Sequence, residues 1–267
     1  MIQTPATRDV TDISDREVDT LVEIARKGMA AGDTYFDHMN SPVGAVNYVR
    51  VADLVQRYAK EPILDWGCGH GQVSWLLRNR GLQVESCDIG ISMGGRHVPE
   101  LKPVLDQVTV LTHEYHLPYA SESFGTVLSV GVLEHVNDFD KSLDEINRVL
   151  RPGGMFFLLM FPNKYSWAEA IQGRRGFSAH PFKFTVSSAH DLLDRHGFTV
   201  ETWWRRNFLP RNLAGFPHGL KRVYGRFWRI VEFTDRILAN VPPTTWFSGV
   251  IEAIAVKRYG EEMRLAG

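Results

Sequence analysis

The chain has 267 residues, 44% hydrophobic and 23% charged, with a formal net charge of -1 and a sequence pI of about 6.8. This is the balance of a globular domain with a sizeable core. It lacks the global basic field that gathers nucleic acid, so no nucleic-acid partner is expected. Cys68 and Cys87 are too few for a disulfide scaffold and form no CxxC pair, so they read as reduced, half-buried thiols and no metal site is expected.

Residues 1–15 read as a flexible tail, polar and acidic, without the basic start and apolar run of a signal peptide. No stretch approaches the ~20 apolar residues that span a bilayer. A cytoplasmic protein is expected, with peripheral membrane contact left open. N-terminal helices occupy 16–60. Val18, Leu21, Val22, Ile24 and Ala25 recur at helical spacing within Glu17–Met29, and a second helix covers Val46–Ala59.

A core over 61–204 then alternates apolar runs with amphipathic stretches. Strands are expected at Pro62–Trp66, Leu82–Asp88, Val108–Leu111, Thr126–Val130, Met155–Phe161 and Phe198–Trp203. Helices are expected at Gln72–Arg80, Asp140–Leu150 and Ser187–His196, the first and last stopped by Gly81 and Gly197. Strands alternating with helices imply an α/β fold with a mostly parallel sheet covered on both faces.

Residues 205–247 break the alternation and read as a helical insertion, and 248–267 hold a last strand, Val250–Val256, and a tail. Within Gly219–Ala239 one helical face carries Leu220, Val223, Tyr224, Phe227, Ile230, Val231, Thr234, Ile237 and Leu238, with Arg222, Arg226 and Arg229 largely opposite. The favoured reading is a cap that packs this stripe over the carboxyl edge of the sheet. The alternative is docking of 205–239 on an anionic membrane surface.

The chemistry concentrates at Asp65-Trp66-Gly67-Cys68-Gly69-His70-Gly71, where an apolar strand enters three glycines and a helix follows. Glycines let a backbone approach a ligand closely, and the helix start offers unpaired N–H groups. A pyrophosphate site would have GxGxxG spacing. Here the spacing is GxGxG, and Asp65 would repel a pyrophosphate but attract an ammonium. Asp88 ends the next strand, where a carboxylate can bridge two ribose hydroxyls.

Together these features resemble class I S-adenosylmethionine-dependent methyltransferases. Asp65 to Gly71 looks like the first motif of that family, and Asp88 like its ribose-binding acid. Leu117-Pro118-Tyr119 with Ser123-Phe124, then Leu133-Glu134-His135-Val136, then Leu150-Arg151-Pro152-Gly153-Gly154 follow in the family's order. One departure is Gly125, where the family usually has an acid. The resemblance implies a Rossmann-like seven-stranded sheet with the last strand antiparallel. It implies S-adenosyl-L-methionine as cofactor, with S-adenosyl-L-homocysteine as product.

On this pattern Asp65, Gly67, Cys68 and Gly69 line the methionine side. Asp88 and Ile89 hold the ribose and flank the adenine, Glu114 and Tyr115 close the adenine pocket, and Val130 and Gly131 supply backbone near the methionine. His135 is a candidate base for an acceptor hydroxyl, and His180, in Phe177-Ser178-Ala179-His180-Pro181, is a rival. Tyr35 and Phe36 are candidate lid residues, with packing the favoured role. No Asp/Asn-Pro-Pro-aromatic tetrad follows the fourth strand, which points to an oxygen or carbon of a small-molecule or lipid-like acceptor. Two alternatives stand beside this reading: a methyltransferase-like non-catalytic subunit, and a nicotinamide-dependent oxidoreductase.

Overall fold

The computed structural model describes residues 13–90, 92, 94–174, 180, 182–211, 213 and 217–259. Phe177, Ser178, Ala179 and Pro181 lie outside the described residues, as do most of the expected N-terminal tail and the final segment, 260–267. Inside the expected tail the structure departs from the reading. Ile13 is buried, and the Ser14 hydroxyl accepts from the Glu17 amide, so α1 (Asp15–Ala30) starts at Asp15.

The second helix, α2 (Pro42–Tyr58), begins one turn earlier than its apolar periodicity indicates. Ser41 caps it through Gly44 N, and Pro42 takes the first-turn position that needs no N–H donor.

Seven strands follow: β1 (Ile63–Trp66), β2 (Val84–Asp88), β3 (Thr109–Val110), β4 (Phe124–Val130), β5 (Leu150–Pro162), β6 (Phe198–Arg206) and β7 (Val250–Lys257). Their order is β3-β2-β1-β4-β5-β7-β6. The first five pair in parallel, and β7 runs antiparallel to both β5 and β6. This is the expected seven-stranded Rossmann-like sheet.

Helices α3 (Gln72–Asn79), α4 (Lys102–Leu105), α5 (Phe139–Val149), α6 (Trp167–Arg174), α7 (Val186–Arg195), α8 (His218–Arg226) and α9 (Trp228–Asn240) complete the fold. Alternate strand residues face opposite layers. Ile63, Leu128, Phe157 and Ile254 pack with α1, α2 and α3. Leu64, Val127, Phe156 and Ala253 pack with α5 and α7. A sheet buried on both faces explains why β5 reads as an unbroken apolar run.

Gly125 has a steric cause. A Cβ there would stand 2.5 Å from the Lys60 carbonyl oxygen, and Gly125 N donates to Pro62 O at 2.9 Å. The backbone before β1 lies too close for an acidic side chain.

The insertion corrects the favoured expectation. It forms two helices, α8 and α9, that meet at Phe227. Most of the apolar stripe faces outward: Val223 is 55% exposed, Ile230 61% and Ile237 47%, with Leu220 and Phe227 similarly open. The buried side of α9 carries Val231, Glu232, Asp235 and Ala239.

The reason is a buried charge cluster. Glu232 accepts from Arg50 of α2 and from Arg211. Asp235 accepts from Arg211 at 2.6 Å and from the backbone amides of Leu209 and Asn207. Beside it, Glu252 of β7 accepts from Trp204 Nε1 at 2.6 Å and Arg206 Nη1 at 3.3 Å, and Arg206 also reaches Asn47. Ion pairing therefore decides which face of α9 turns inward, and the apolar face is left outside.

Candidate active site

Strand order reverses between β1 and β4, and the crevice at such a point lies beyond the carboxyl ends of the strands. Beyond the carboxyl ends of β1 and β2 opens a cleft of about 590 Å³, within the range of small-molecule sites. Its walls come from the loop 31–35 after α1, from Gly69 and His70, from Asp88 and Gly90, and from the loop leading to His97.

The glycine turn needs its glycines. Gly67, Gly69 and Gly71 all have positive φ, at 72°, 56° and 78°. A Cβ on Gly67 would meet Val132 Cγ1 at 2.5 Å, whereas one on Gly69 would meet nothing within 4 Å. Gly67 N and Cys68 N both donate to the Cys87 carbonyl, which ties the turn to β2.

Asp88 sits at the end of β2 with Oδ2 accepting from Gly69 N at 2.8 Å and Oδ1 from Gly90 N at 3.2 Å. Ile89 beside it is 65% exposed. Asp33, in the loop after α1, accepts from Ser92 Oγ at 3.0 Å and stands 3.3 Å from His70 Nε2. That contact latches the N-terminal helices onto the glycine turn. Tyr35 lines the cleft and is 81% exposed, whereas Phe36 is buried against the His70 ring at 4.1 Å between centroids. Phe36 has the packing role expected of it.

Asp65 is buried, and the Ser74 hydroxyl of α3 donates to it at 2.6 Å. Burial lifts its carboxyl to about 6, and the Ser74 hydrogen bond only partly offsets this. A carboxyl whose folded pKa is raised favours the native state at low pH and penalises it above the folded pKa. Asp65→Asn is therefore expected to stabilise the fold by roughly 3 kcal/mol above pH 6 and by nothing below pH 4. Urea unfolding at the two pH values checks this. A pH-independent effect would show that the ionised carboxylate is not the cost.

Both cysteines are fully buried, not half-buried, and burial raises both thiols. Glu114 ties two loops together. Its carbonyl accepts from Trp66 Nε1 at 3.1 Å, and its carboxylate accepts from Asn137 N and Nδ2 at 2.9 and 3.1 Å. Burial pushes that carboxyl up, but the hydrogen bonds outweigh it and hold it below the usual range. Tyr115 stacks on His113 with Lys141 over its ring. Gly131, at φ 68°, follows half-buried Val130 and donates to Leu159 O, carrying the chain off β4.

His135 and His180, read from separate segments, come together. Their ring centroids are 5.5 Å apart at the carboxyl end of β4. Glu169 of α6 orients His180, with Oε1 2.8 Å from Nδ1, and Lys183 holds the other carboxylate oxygen at 3.0 Å. Burial lowers His180, but Glu169 outweighs it and the net direction is up. His135 is lowered by burial and by His180. Sequence reading missed α6 and Glu169; Ser166, which accepts from Glu169 N, is the capping signal there.

A parallel sheet with a switch point, a GxGxG turn and an acid closing β2 define a class I methyltransferase-type domain. Residues 64–158 match the model of the family described as a methyltransferase domain. The mitochondrial arginine-hydroxylase NDUFAF5 of Mus musculus is 32% identical over 180 residues, 62% of this chain and 50% of that protein. The chain thus spans about half the length of the NDUFAF5 relatives it matches. The ubiquinone biosynthesis O-methyltransferase of Histophilus somni is 23% identical over 212 residues, 74% of this chain and 86% of that protein. Among solved structures, the Burkholderia thailandensis 1,6-didemethyltoxoflavin-N1-methyltransferase superposes with a TM-score of 0.54 at 16% identity, covering 94% of each chain. It holds 1,6-didemethyltoxoflavin and S-adenosylhomocysteine. The [4+2]-cyclase SpnF shares the fold at a TM-score of 0.52 and 20% identity, covering 81% of this chain and 82% of its own, so the fold does not fix the reaction.

Proposed function

We propose that the protein transfers a methyl group from S-adenosylmethionine to an oxygen or carbon of a small-molecule or lipid-like acceptor. The observation that carries this is Asp88, its carboxylate at the rim of the cleft beside Gly69, where a side chain would meet only open space. That arrangement suits a ribose diol, and buried Asp65 under the same turn suits a nearby cationic ammonium. Glu114, Tyr115, Ile89, Val130 and Gly131 complete the same reading. The cofactor, when bound, supplies an activated methyl on a sulfonium. The chain then has to orient the acceptor and exclude water, and His135 is the candidate base for an acceptor hydroxyl.

The test is calorimetric titration with S-adenosylhomocysteine, followed by mass spectrometry of amphiphilic phenols and hydroxy acids incubated with S-adenosylmethionine. Acceptors gaining a methylene support the reading. Binding without turnover favours a non-catalytic subunit, and no binding by folded protein overturns the donor site. The NDUFAF5 name supports a second reading, oxidation of the acceptor, which the same spectra would register as an added oxygen.

The outward stripe of α8 and α9 supports contact with an anionic membrane surface. Lys221, Arg222, Arg226, Arg229 and Arg236 flank it, while the two acids of these helices are buried. Among the described residues no helix is long and apolar enough to cross a membrane. Replacing Phe227 and Ile230 with Ser is expected to weaken co-sedimentation with phosphatidylserine vesicles by about tenfold or more. Equal sedimentation of mutant and parent would dismiss the contact.

A further inference from the structure

We propose that Glu134, His135 and His180 form a binding site for one divalent transition-metal cation at the carboxyl end of β4. Each offers a ligand atom, and the three atoms lie within 4.8 Å of one another. Two imidazoles and a carboxylate are a donor set suited to zinc, iron(II) and their neighbours, with positions left open for a further ligand. Ligands bonded at about 2.0–2.2 Å to one ion stand roughly 3 Å apart, so small side-chain rotations close the site.

Two further observations point to a ligand. Glu134 is 1% exposed, and its Oε2 is buried with no hydrogen-bond partner. A buried carboxylate oxygen is costly to leave this way, and a cation would satisfy it. Second, Glu169 Oε1 stands 2.8 Å from His180 Nδ1. A carboxylate behind an imidazole is the usual outer support of a metal-bound histidine.

The backbone leaves one ligand of the site at the surface and ties the site to the glycine turn. Leu133–His135 is a short 3₁₀ turn, His135 is exposed, and Val132 packs on Gly67 of the glycine turn. The ion thus lies beside the methionine end assigned above. Metal binding is independent of the methyl-transfer reading; only the ion's role rests on it. In that role the cation replaces His135 as the group that activates the acceptor hydroxyl: it binds the hydroxyl and lowers its pKa, and the proton passes to water. The acceptor oxygen forms the new bond to the methyl carbon as the carbon–sulfur bond breaks, leaving a neutral thioether.

The experiment uses chelator-stripped full-length protein titrated separately with Co2+ and Zn2+, followed by calorimetry and, for cobalt, visible absorption. One equivalent should bind, with ligand-field bands. Glu134→Gln and His135→Ala should each weaken binding by more than about 100-fold, and Glu169→Gln by about 10- to 100-fold. His135 is exposed, so its variant keeps the test valid if Glu134→Gln misfolds. No saturable binding, or binding unchanged in both ligand variants, overturns the site and leaves a Glu134–His180 electrostatic pair only. Titrating the same samples with S-adenosylhomocysteine separates the claims: loss of metal binding alone sinks this inference, and loss of homocysteine-nucleoside binding alone sinks the donor reading.

Discussion

Asp88→Ala is expected to weaken S-adenosylhomocysteine binding by more than about 100-fold. A carboxylate accepting from two ribose hydroxyls makes two charge-assisted hydrogen bonds, each contributing about 1.5–3 kcal/mol. Their joint loss is about 3–6 kcal/mol, and each 1.4 kcal/mol is a factor of ten. Asp88 also accepts from the Gly69 and Gly90 amides, so the variant loosens the turn as well as the ligand. Asp88→Asn separates the two effects, because the amide oxygen still accepts but the charge is gone. It should retain most of the thermal stability while losing about tenfold in affinity. Calorimetry beside thermal melts checks this. An Asp88→Ala variant that binds as tightly as the parent would remove the ribose role.

Arg211→Ala should be the most damaging substitution for the fold, at about 3–5 kcal/mol. The guanidinium is 7% exposed and joins Glu232 to Asp235, both buried. With it gone, Asp235 keeps only its backbone donors and Glu232 keeps only Arg50. The cost comes from the carboxylates left without a cation, not from the pair's intrinsic attraction. Glu232→Gln combined with Arg211→Met should therefore recover part of the loss. Chemical denaturation of the three proteins decides it. If the double variant is as unstable as Arg211→Ala, the penalty lies in packing.

The doubly wound core was legible because each of its units is local. An apolar run, a glycine stop and the next apolar run carry their own periodicity, and β1, α3 and β2 fall close to where that periodicity puts them. Asp65, Asp88 and the glycines stand at strand ends, which the same pattern marks. The outward face of α9 was not legible in this way. Its orientation depends on Arg50 and Arg211, which lie far away along the chain, and apolar spacing alone turns the wrong side inward. His135 and His180 each stood out singly, but their meeting depends on α6 and on a return of the chain that no spacing announces. Glu134, read only as part of a family segment, gains meaning from the partner it lacks.

The inverted packing of α9 has a consequence for how the chain acquires its structure. Arg50 and Glu232 are 182 positions apart, and a ribosome extends a chain by about 5–20 residues each second. The nascent α2 therefore waits roughly 10–40 s before its counter-charge is synthesised. Through that interval the N-terminal half presents an arginine whose ion-pair partner lies in the last helix. The docking of α8 and α9 is then a late, long-range step that completes the domain, and contact order makes such steps slow. Pulse-labelling hydrogen exchange during refolding should find the amides of α2 and α9 protected together, after those of β1 and β4.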